Sequence, residues 1–190
     1  MKRLVIFASG NGSNFEAIVT AIENKILDAQ IVGLICDKPE AYCLTRAKNH
    51  GIPTAVFHRS DYDSKLEMDC AILIQVKKWN ADWLVLAGYM RLLTSLIIQA
   101  YPKRIINIHP SLLPKYKGKD ALGQALTNHE TTLGVSIHYV DEGMDTGALI
   151  AQESFTIQSD QDRDTIEQSL HQLEHTLYPK VIQKLIKENP

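Results

Sequence analysis

Short runs of apolar residues alternate along the chain with segments in which apolar residues recur every three or four positions. The runs are typical of buried strands, and the periodic segments are typical of amphipathic helices. The pattern predicts strands at 4–8, 31–36, 54–57, 83–87 and 105–109. It predicts helices at 15–22, 42–50, 61–79, 94–101 and 162–187. Because strands joined by helices make right-handed crossovers, we expect a parallel sheet covered by helices on both faces.

The pattern changes after Leu133, where apolar and polar residues alternate one by one. Val135, Ile137 and Tyr139 share one side of a predicted half-exposed strand, so His138 is expected to face outwards. A further strand at 149–155 should run antiparallel to it. The sequence contains no internal repeat or linker. We therefore expect a single domain over 1–190, an α/β fold with a three-layer, Rossmann-like doubly wound sheet, mainly parallel with an antiparallel C-terminal strand pair.

The composition is that of an ordinary globular protein, with 45% hydrophobic residues, 22% charged residues and a net charge of -2. This charge gives no sign of a nucleic-acid partner. The first apolar run stops at Ala8, too short for a signal peptide or a membrane span. Cys36, Cys43 and Cys70 are odd in number and are expected to be buried thiols in a reducing compartment, which favours the cytoplasm.

Two polar residues interrupt the apolar run at 105–109. Asn107 and His109 lie two positions apart, so their side chains should point to the same side of the strand, which Pro110 ends. In an open parallel sheet, ligands bind beyond the carboxyl ends of the strands. An amide and a titratable imidazole at such a place are candidate catalytic groups, although satisfied polar residues at a strand end are the plainer interpretation.

The segment Ser-Gly-Asn-Gly-Ser-Asn at 9–14 lies between the first strand and the first helix. Unpaired N–H groups at a helix N-terminus favour a phosphate, and glycines let the backbone approach it. Ser13 and Asn14 add side-chain donors, or serve only as helix caps. Phe15 replaces the third glycine of a dinucleotide fingerprint, and the Gly-Lys-Ser/Thr of a P-loop is absent. We therefore expect a phosphate monoester site.

Five segments, in order along the chain, resemble the folate-dependent formyltransferase family. They are the glycine segment at 9–14, Gly-Tyr-Met-Arg-Leu-Leu at 88–93, Asn-Ile-His-Pro-Ser-Leu-Leu-Pro at 107–114, His-Tyr-Val-Asp-Glu-Gly-Met-Asp-Thr-Gly at 138–147 and Glu-His-Thr-Leu-Tyr-Pro at 174–179. The resemblance implies an enzyme of purine synthesis that transfers the formyl group of 10-formyltetrahydrofolate, its co-substrate, to the glycine amine of glycinamide ribonucleotide. It implies two small-molecule partners, no metal, no nucleic acid and no membrane.

The resemblance also assigns roles to the matching positions. The implied catalytic set is Asn107, His109 and Asp145. Contacts to the ribonucleotide are implied for Gly12, Ser13 and Asn14 at its phosphate and for Glu174 at its glycine amine. Contacts to the folate are implied for Lys65, Met90, Arg91, Leu92, Leu93 and Asn107. The chain departs from many relatives at Lys117 and Ala148, where proline is common, and these loop positions affect rigidity more than chemistry. It departs from some relatives at Lys119 and Asp120, so no role is carried to these two.

The implied formyl transfer needs the kinds of group that Asn107, His109 and Asp145 provide. An amine that attacks a formyl carbon produces an oxyanion, which donors such as an amide and an imidazole stabilise. The amine loses a proton and the folate nitrogen gains one, and an imidazole beside a carboxylate can mediate this transfer. By itself, however, Asp145 in an Asp-Thr-Gly turn is as readily a turn residue.

Several alternatives share part of the pattern. Formyltetrahydrofolate deformylase uses the same three groups with water as acceptor, but it lacks the glycine segment and usually carries an N-terminal regulatory domain. Methionyl-tRNA formyltransferase carries a C-terminal tRNA-binding domain, and we expect neither extra domain in this chain. A non-catalytic nucleotide-binding module would explain only the glycine segment. His-Gln-Leu-Glu-His at 171–175 fits an inverted zinc-peptidase pattern, but the sequence offers no evident third ligand.

Overall fold

The computed structural model describes residues 1–158 and 161–189, and a seven-stranded sheet in the order β3-β2-β1-β4-β5-β6-β7 runs through its centre. The strands are β1 (Lys2–Ala8), β2 (Ala29–Cys36), β3 (Thr54–Val56), β4 (Trp83–Leu86), β5 (Ile105–His109), β6 (Thr132–Tyr139) and β7 (Leu149–Thr156). The helices are α1 (Ser13–Glu23), α2 (Tyr42–Asn49), α3 (Lys65–Lys78), α4 (Ser95–Ala100), α5 (Ala121–Thr127) and α6 (Arg163–Glu188), with a 3-10 turn at Arg59–Asp61.

Strands β1 to β5 are parallel, β6 is antiparallel to β5, and β7 is antiparallel to β6. The predicted α/β fold, with its antiparallel C-terminal pair, is confirmed. Both faces of the sheet are covered, which explains why β1 is apolar on both sides. Leu4 and Ile6 belong to the core under α1, α2 and α6. Val5 and Phe7 belong to the core under α3 and α4.

The order of the strands reverses beside β1, because the chain builds β2 and β3 on one side and continues from β4 on the other. At such a switch point the loops after the two central strands diverge and leave a crevice. Two hydrogen bonds tie these loops together. Ser9 N donates to Gly88 O at 3.1 Å, and Met90 N donates to Ser9 Oγ at 2.9 Å. The glycine segment and the segment at 88–93 therefore border one crevice.

Several local predictions were wrong. Helix α3 begins at Lys65 rather than at 61, because the Ser64 side chain accepts from Glu67 N at 3.0 Å and caps it. Helix α5 was not predicted; Asp120 caps it by accepting from Gly123 N. Strand β6 is buried on both sides rather than half exposed. None of the helices in the described ranges is both long and apolar enough to cross a bilayer.

Candidate active site

A cleft with a volume of about 700 Å³ opens at the carboxyl ends of the central strands and extends over β5 and β6. Most of the predicted site residues line it. They are Gly12, Ser13, Asn14, Met90, Arg91, Leu92, Leu93, Asn107, His109, Asp145 and Glu174. Lys65 lies in the first turn of α3 and does not line the cleft. The structure therefore does not bring Lys65 to the other predicted folate contacts.

Gly12 is the residue before α1, and its backbone is left-handed with φ 76°. It caps the helix without a side-chain bond, so the first N–H groups of α1 stay open towards the cleft. A Cβ on Gly12 would lie 2.6 Å from Cβ of Cys43 in α2. The positive φ and the close approach of α2 require glycine at this position for structural reasons, and the contact of Gly12 with a ligand stays a prediction.

Arg46 in α2 holds the glycine segment in place. Its Nε donates to the Asn11 carbonyl oxygen at 2.9 Å, and its Nη2 donates to Asn11 Oδ1 at 3.0 Å. Its Nη1 forms an ion pair with Glu16 Oε2 at 3.2 Å, so the same guanidinium also contacts α1. Nothing near the glycine segment in the sequence indicates this contact, because Arg46 lies 35 residues beyond Asn11.

Asn14 and Glu174 join the glycine segment to α6. Asn14 Nδ2 donates to Glu174 Oε2 at 2.9 Å, and both side chains are buried. Asn14 Oδ1 has no hydrogen-bond partner in the part of the chain that the structure describes. Burial raises the pKa of Glu174, with Asn14 and His171 opposing the rise. This pair therefore presents two buried oxygen acceptors beside the open end of α1.

The three predicted catalytic residues meet, and His138 joins them. Asp145 Oδ2 lies 3.4 Å from His109 Nδ1, and Asp145 Oδ1 lies 3.4 Å from His138 Nε2. Asn107 Nδ2 donates to Asp145 Oδ1 at 3.3 Å and lies 3.2 Å from His138 Nε2. His138 was expected to face outwards, but it is buried because β6 places it directly opposite Asn107 on β5.

Backbone carbonyls fix the protons on both imidazoles. His109 Nε2 lies 2.8 Å from the Tyr116 carbonyl oxygen, and His138 Nδ1 lies 2.8 Å from the Tyr139 carbonyl oxygen. A carbonyl oxygen only accepts, so each of these nitrogens carries a proton. The second nitrogen of His138, Nε2, faces both Asn107 Nδ2 and Asp145 Oδ1. In His109, the remaining nitrogen, Nδ1, faces the Asp145 carboxylate.

Asp145 is held as a carboxylate in this cluster. Burial acts to raise its pKa, but the hydrogen bond from His138, the Gly118 N–H at 2.9 Å and the charges of both imidazoles outweigh burial and lower the pKa. Its backbone is left-handed, with φ 52°. Gly147 lets this loop lie against β6, since a Cβ there would overlap the Tyr139 carbonyl oxygen. The Asp-Thr-Gly turn thus places the carboxylate against the imidazoles.

The zinc-peptidase pattern does not form a metal site. His171 and His175 stack with their ring centroids 6.1 Å apart, and Glu174 is bonded to Asn14 instead. Across 1–158 and 161–189, no three His, Cys, Asp or Glu side chains are placed to hold a metal ion.

Several further residues line the cleft, although sequence reasoning gave none of them a role of its own in this site. They are Ser9, Lys38, Lys119, Asp120, His138, Arg163, Glu167 and His171. Asp120 caps α5 and also forms an ion pair with Arg163 at 3.0 Å. The helix-capping pattern of an acid before Ala121 and Leu122 was the one local signal that could have identified Asp120.

Comparison with known proteins shows which sequences and folds the chain resembles. Residues 2–182 match the family described as formyl transferase. The chain is 47% identical over 189 residues to phosphoribosylglycinamide formyltransferase of Bacillus subtilis strain 168, covering 100% of this chain and 97% of that protein. The crystal structure of phosphoribosylglycinamide formyltransferase from Bacillus halodurans matches with a TM-score of 0.96 at 42% identity, covering 100% and 97% of the two chains. Glycinamide ribonucleotide transformylase 1 from Geobacillus kaustophilus matches with a TM-score of 0.94 at 47% identity, covering 97% and 98%.

Proposed function

The chain belongs to the formyl transferase family, and from this premise we propose that it transfers the formyl group of 10-formyltetrahydrofolate to the glycine amine of glycinamide ribonucleotide. The observation that carries the proposal is the meeting of Asn107, His109 and Asp145 inside the cleft. The open N-terminus of α1 lies in the same cleft as these groups, and so does the segment at 88–93.

The ribonucleotide would bind at the α1 end of the cleft. A dianionic phosphate fits the open N–H groups that follow Gly12, with the Ser13 hydroxyl as a further donor. The buried oxygens of Asn14 and Glu174 accept hydrogen bonds, so they suit the glycine amine rather than the phosphate. The resemblance gave Gly12, Ser13 and Asn14 one shared role at the phosphate. We propose instead that Gly12 and Ser13 contact the phosphate and that Asn14 contacts the amine.

The formyl folate would bind against the segment at 88–93. Met90 is 63% exposed and Leu92 is 42% exposed, so both offer apolar surface to a flat heterocycle. Leu93 is buried and anchors the segment in the core under α3. The pterin would thus be held mainly by apolar contacts and backbone groups.

The chemistry would take place between these two sites. The amine attacks the formyl carbon, the C–N bond to the folate breaks, and one proton moves from the amine to the departing folate nitrogen. His109 Nε2–H now donates to the Tyr116 carbonyl, and the formyl oxygen would replace that acceptor as it gains negative charge. Losing one such donor typically costs about 2.7–4 kcal/mol of transition-state stabilisation. Asp145 would stabilise the imidazolium, and His138 would orient Asn107.

The test is a transfer assay with purified protein, glycinamide ribonucleotide and 10-formyltetrahydrofolate, in which formylated ribonucleotide and free formate are measured separately. We expect formylated ribonucleotide to be the product and formate to stay near background without the acceptor. Rapid formate release in the absence of ribonucleotide would support the deformylase alternative and contradict the proposal. A ribonucleoside without its phosphate should lose most of its kcat/KM, because remote binding energy positions the amine.

A further inference from the structure

Two cysteine thiols contact each other inside the molecule, next to the glycine segment. Cys36 is the last residue of β2 and Cys43 lies in the first turn of α2, and both are fully buried. Their sulfur atoms are 3.6 Å apart. Cys70, by contrast, is exposed in α3, so the prediction of a buried thiol was wrong for it. The contact between the buried thiols joins the end of β2 to the start of α2.

The hydrogen bonds of the pair give the two thiols different acidities. Cys43 Sγ donates to Cys36 Sγ, and Lys38 N donates to the same sulfur at 3.5 Å. The bond from Cys43, helped by the backbone of Lys38, lowers the pKa of Cys36, although burial and the charge of Asp37 act to raise it. The same bond and burial raise the pKa of Cys43. Cys36 therefore forms the thiolate more readily, and the thiolate is the form that reacts with oxidants.

Cys36 lies under a short exposed turn. When it is protonated, its Sγ donates to the Lys38 carbonyl oxygen at 3.2 Å, and that oxygen also accepts from Ala41 N at 3.1 Å. Residues 38–40 are exposed, and Lys38 lines the cleft. Exposed turns open locally at a much lower free energy than the whole domain unfolds. A small oxidant such as a hydroperoxide therefore has a route to Cys36 through this turn.

Cys43 also contacts the glycine segment. Its N–H donates to the Gly10 carbonyl oxygen at 3.0 Å. Gly12 packs directly on it, since a Cβ on Gly12 would lie 2.6 Å from Cys43 Cβ and 3.0 Å from Cys43 Cα. Because close-packed groups transmit strain to their neighbours, a shift of Cys43 has to move the glycine segment. Gly12 precedes the open N–H groups of α1, so such a shift changes the end of the cleft where α1 begins.

We propose that Cys36 and Cys43 are an oxidative modification site, at which a hydroperoxide converts the two thiols into a disulfide and thereby displaces the glycine segment. A disulfide holds its sulfur atoms about 2.05 Å apart, so the bond draws the start of α2 towards the end of β2. The displacement follows from the contacts of Cys43 alone. The expected loss of affinity for the ribonucleotide rests, in addition, on the proposed function.

The oxidation takes two steps. The Cys36 thiolate attacks one oxygen of the hydroperoxide, the O–O bond breaks, and Cys36 becomes a sulfenic acid. The other oxygen leaves as an alcohol or water with the proton that Cys36 lost. Cys43 sulfur then attacks the sulfenic sulfur, the S–S bond forms, the S–O bond breaks, and hydroxide leaves as water with the Cys43 proton. The two sulfurs together lose two electrons, which the hydroperoxide gains. Because the second thiol is already in contact, the disulfide should form before further oxidation.

Mass spectrometry of the full chain tests the disulfide. The folded protein is treated with hydrogen peroxide, then denatured, alkylated and digested with trypsin. Residues 26–46 stay in one peptide, because trypsin does not cut between Lys38 and Pro39. We expect this peptide to lose two hydrogen atoms and to escape alkylation until dithiothreitol is added.

The exposed thiol supplies an internal control for this experiment. If the peptide 26–46 stays fully alkylated while Cys70 is oxidised, the proposal is wrong. Oxygen atoms gained at Cys36 without a disulfide would also overturn it. Cys43→Ala should not lose the two hydrogen atoms, and Cys36→Ala serves as a second control. Circular dichroism melting shows whether each variant is folded before it is treated.

Hydrogen–deuterium exchange tests the displacement without any ligand. Cys70→Ser is the background, so that the buried pair holds the only thiols that can be oxidised. Cys43 N–H is bonded to Gly10 O, and Glu16 N–H is bonded to Gly12 O at 3.0 Å. We expect both amides to exchange about tenfold faster in the disulfide form. Equal exchange in the dithiol and disulfide forms would overturn the displacement.

Calorimetric titration in the same background measures the consequence for ligands. We expect oxidation to raise the Kd of glycinamide ribonucleotide about tenfold, because hydrogen bonds to its phosphate are disturbed. Dithiothreitol should restore the affinity. Peroxide also oxidises exposed methionines such as Met90 and Met144, but their sulfoxides need a dedicated reductase and would not recover. Cys43→Ala, treated in the same way, should show no loss that dithiothreitol reverses.

The outcomes separate this inference from the proposed function. If the reduced protein does not bind the ribonucleotide, the proposed function fails, while the peptide map and the exchange rates still decide whether the thiol pair is a redox site. If the reduced protein binds the ribonucleotide and the disulfide form binds it equally well, the coupling between the thiol pair and the ligand is refuted.

Discussion

Replacing Asp145 by asparagine removes one negative charge from the catalytic cluster while leaving the shape of the side chain nearly unchanged. The left-handed backbone at Asp145, with φ 52°, suits asparagine better than most other residues. The loop should therefore keep its conformation. The lowered pKa of Asp145 means that its ionised form stabilises the fold above the ordinary value of 3.8. That contribution is lost as pH falls through the lowered pKa, so the small stability deficit of Asp145→Asn should vanish in strong acid.

The expected loss of activity follows from the contacts of the two carboxylate oxygens. One faces His109 Nδ1 at 3.4 Å and accepts the Gly118 N–H at 2.9 Å, and the other faces Asn107 Nδ2 at 3.3 Å. Asparagine must turn its NH₂ group towards one of these sides. That group then faces another hydrogen-bond donor, either the Gly118 N–H or Asn107 Nδ2. Losing a charge-assisted hydrogen bond costs about 1.5–3 kcal/mol, and an unpaired buried donor adds about 1 kcal/mol or more. Together they predict a fall in kcat of roughly 10²–10³-fold.

Single-turnover formyl transfer, with calorimetric titration of the ribonucleotide and of a folate analogue, measures this effect. We expect both ligands to bind Asp145→Asn within about threefold of the wild type, because Asp145 acts on the transition state. Asp141→Asn is the matched control, since Asp141 accepts from Thr146 Oγ1 at 2.6 Å in the same loop but does not line the cleft. A kcat of Asp145→Asn within about threefold of the wild type would refute the reasoning. A parallel loss of both affinities would show damage to the loop instead.

Three further variants test the surroundings of the site. Gly12→Ala should cost about 2–4 kcal/mol of unfolding free energy by chemical denaturation, since its Cβ meets Cys43 at 2.6 Å and its φ is positive; no loss would contradict the packing argument. The pKa of Glu174 is raised, so its neutral form stabilises the fold and is lost as pH rises through that pKa. Glutamine stays neutral at every pH. Glu174→Gln should therefore raise the melting temperature at pH 7–8 by the equivalent of ~1–3 kcal/mol. The gain should vanish near pH 4, and a gain that is independent of pH would contradict it. Arg46→Met should weaken the ribonucleotide about tenfold in calorimetric titration while the folate analogue changes little, since the guanidinium holds Asn11; equal losses would argue against a local role.

The sequence was most informative where the determinants are local. Alternating apolar runs and helical periods predicted the doubly wound sheet, and Asn107 and His109 were recognised because both belong to one short strand. Helix boundaries were predicted wrongly where a capping side chain sets them. The Ser64 hydroxyl caps α3, so the helix begins after the 3-10 turn. Helix α5 was missed because it has only seven residues and contains a glycine, so its stretch of periodic apolar residues is too short to recognise.

His138 shows a different limit. One-by-one alternation indicates which side of a strand is polar, but it does not show whether solvent reaches that side. The apolar side of β6 packs under α6, as predicted for a half-exposed strand. The polar side is covered by loops, because Ser136 Oγ donates to the Ser111 carbonyl at 2.6 Å and accepts from Leu113 N at 3.0 Å. These loops come from elsewhere in the chain, so the burial of His138 depends on tertiary contacts.

The position of Asp145 depends on loop geometry more than on the sheet. The loop after β6 begins beside the N-terminal end of β5, where Val140 N donates to Ile105 O at 3.0 Å. The rule that ligands bind at the carboxyl ends of parallel strands identified Asn107 and His109. It could not identify Asp145, because its loop begins at the opposite end of the sheet. Asp145 reaches Asn107, 38 residues earlier, because its loop folds back over the face of the sheet and bonds to Gly118 in another loop. Since two loops rather than two strands hold the carboxylate, its distance to His109 can change while the sheet and its hydrogen bonds stay intact.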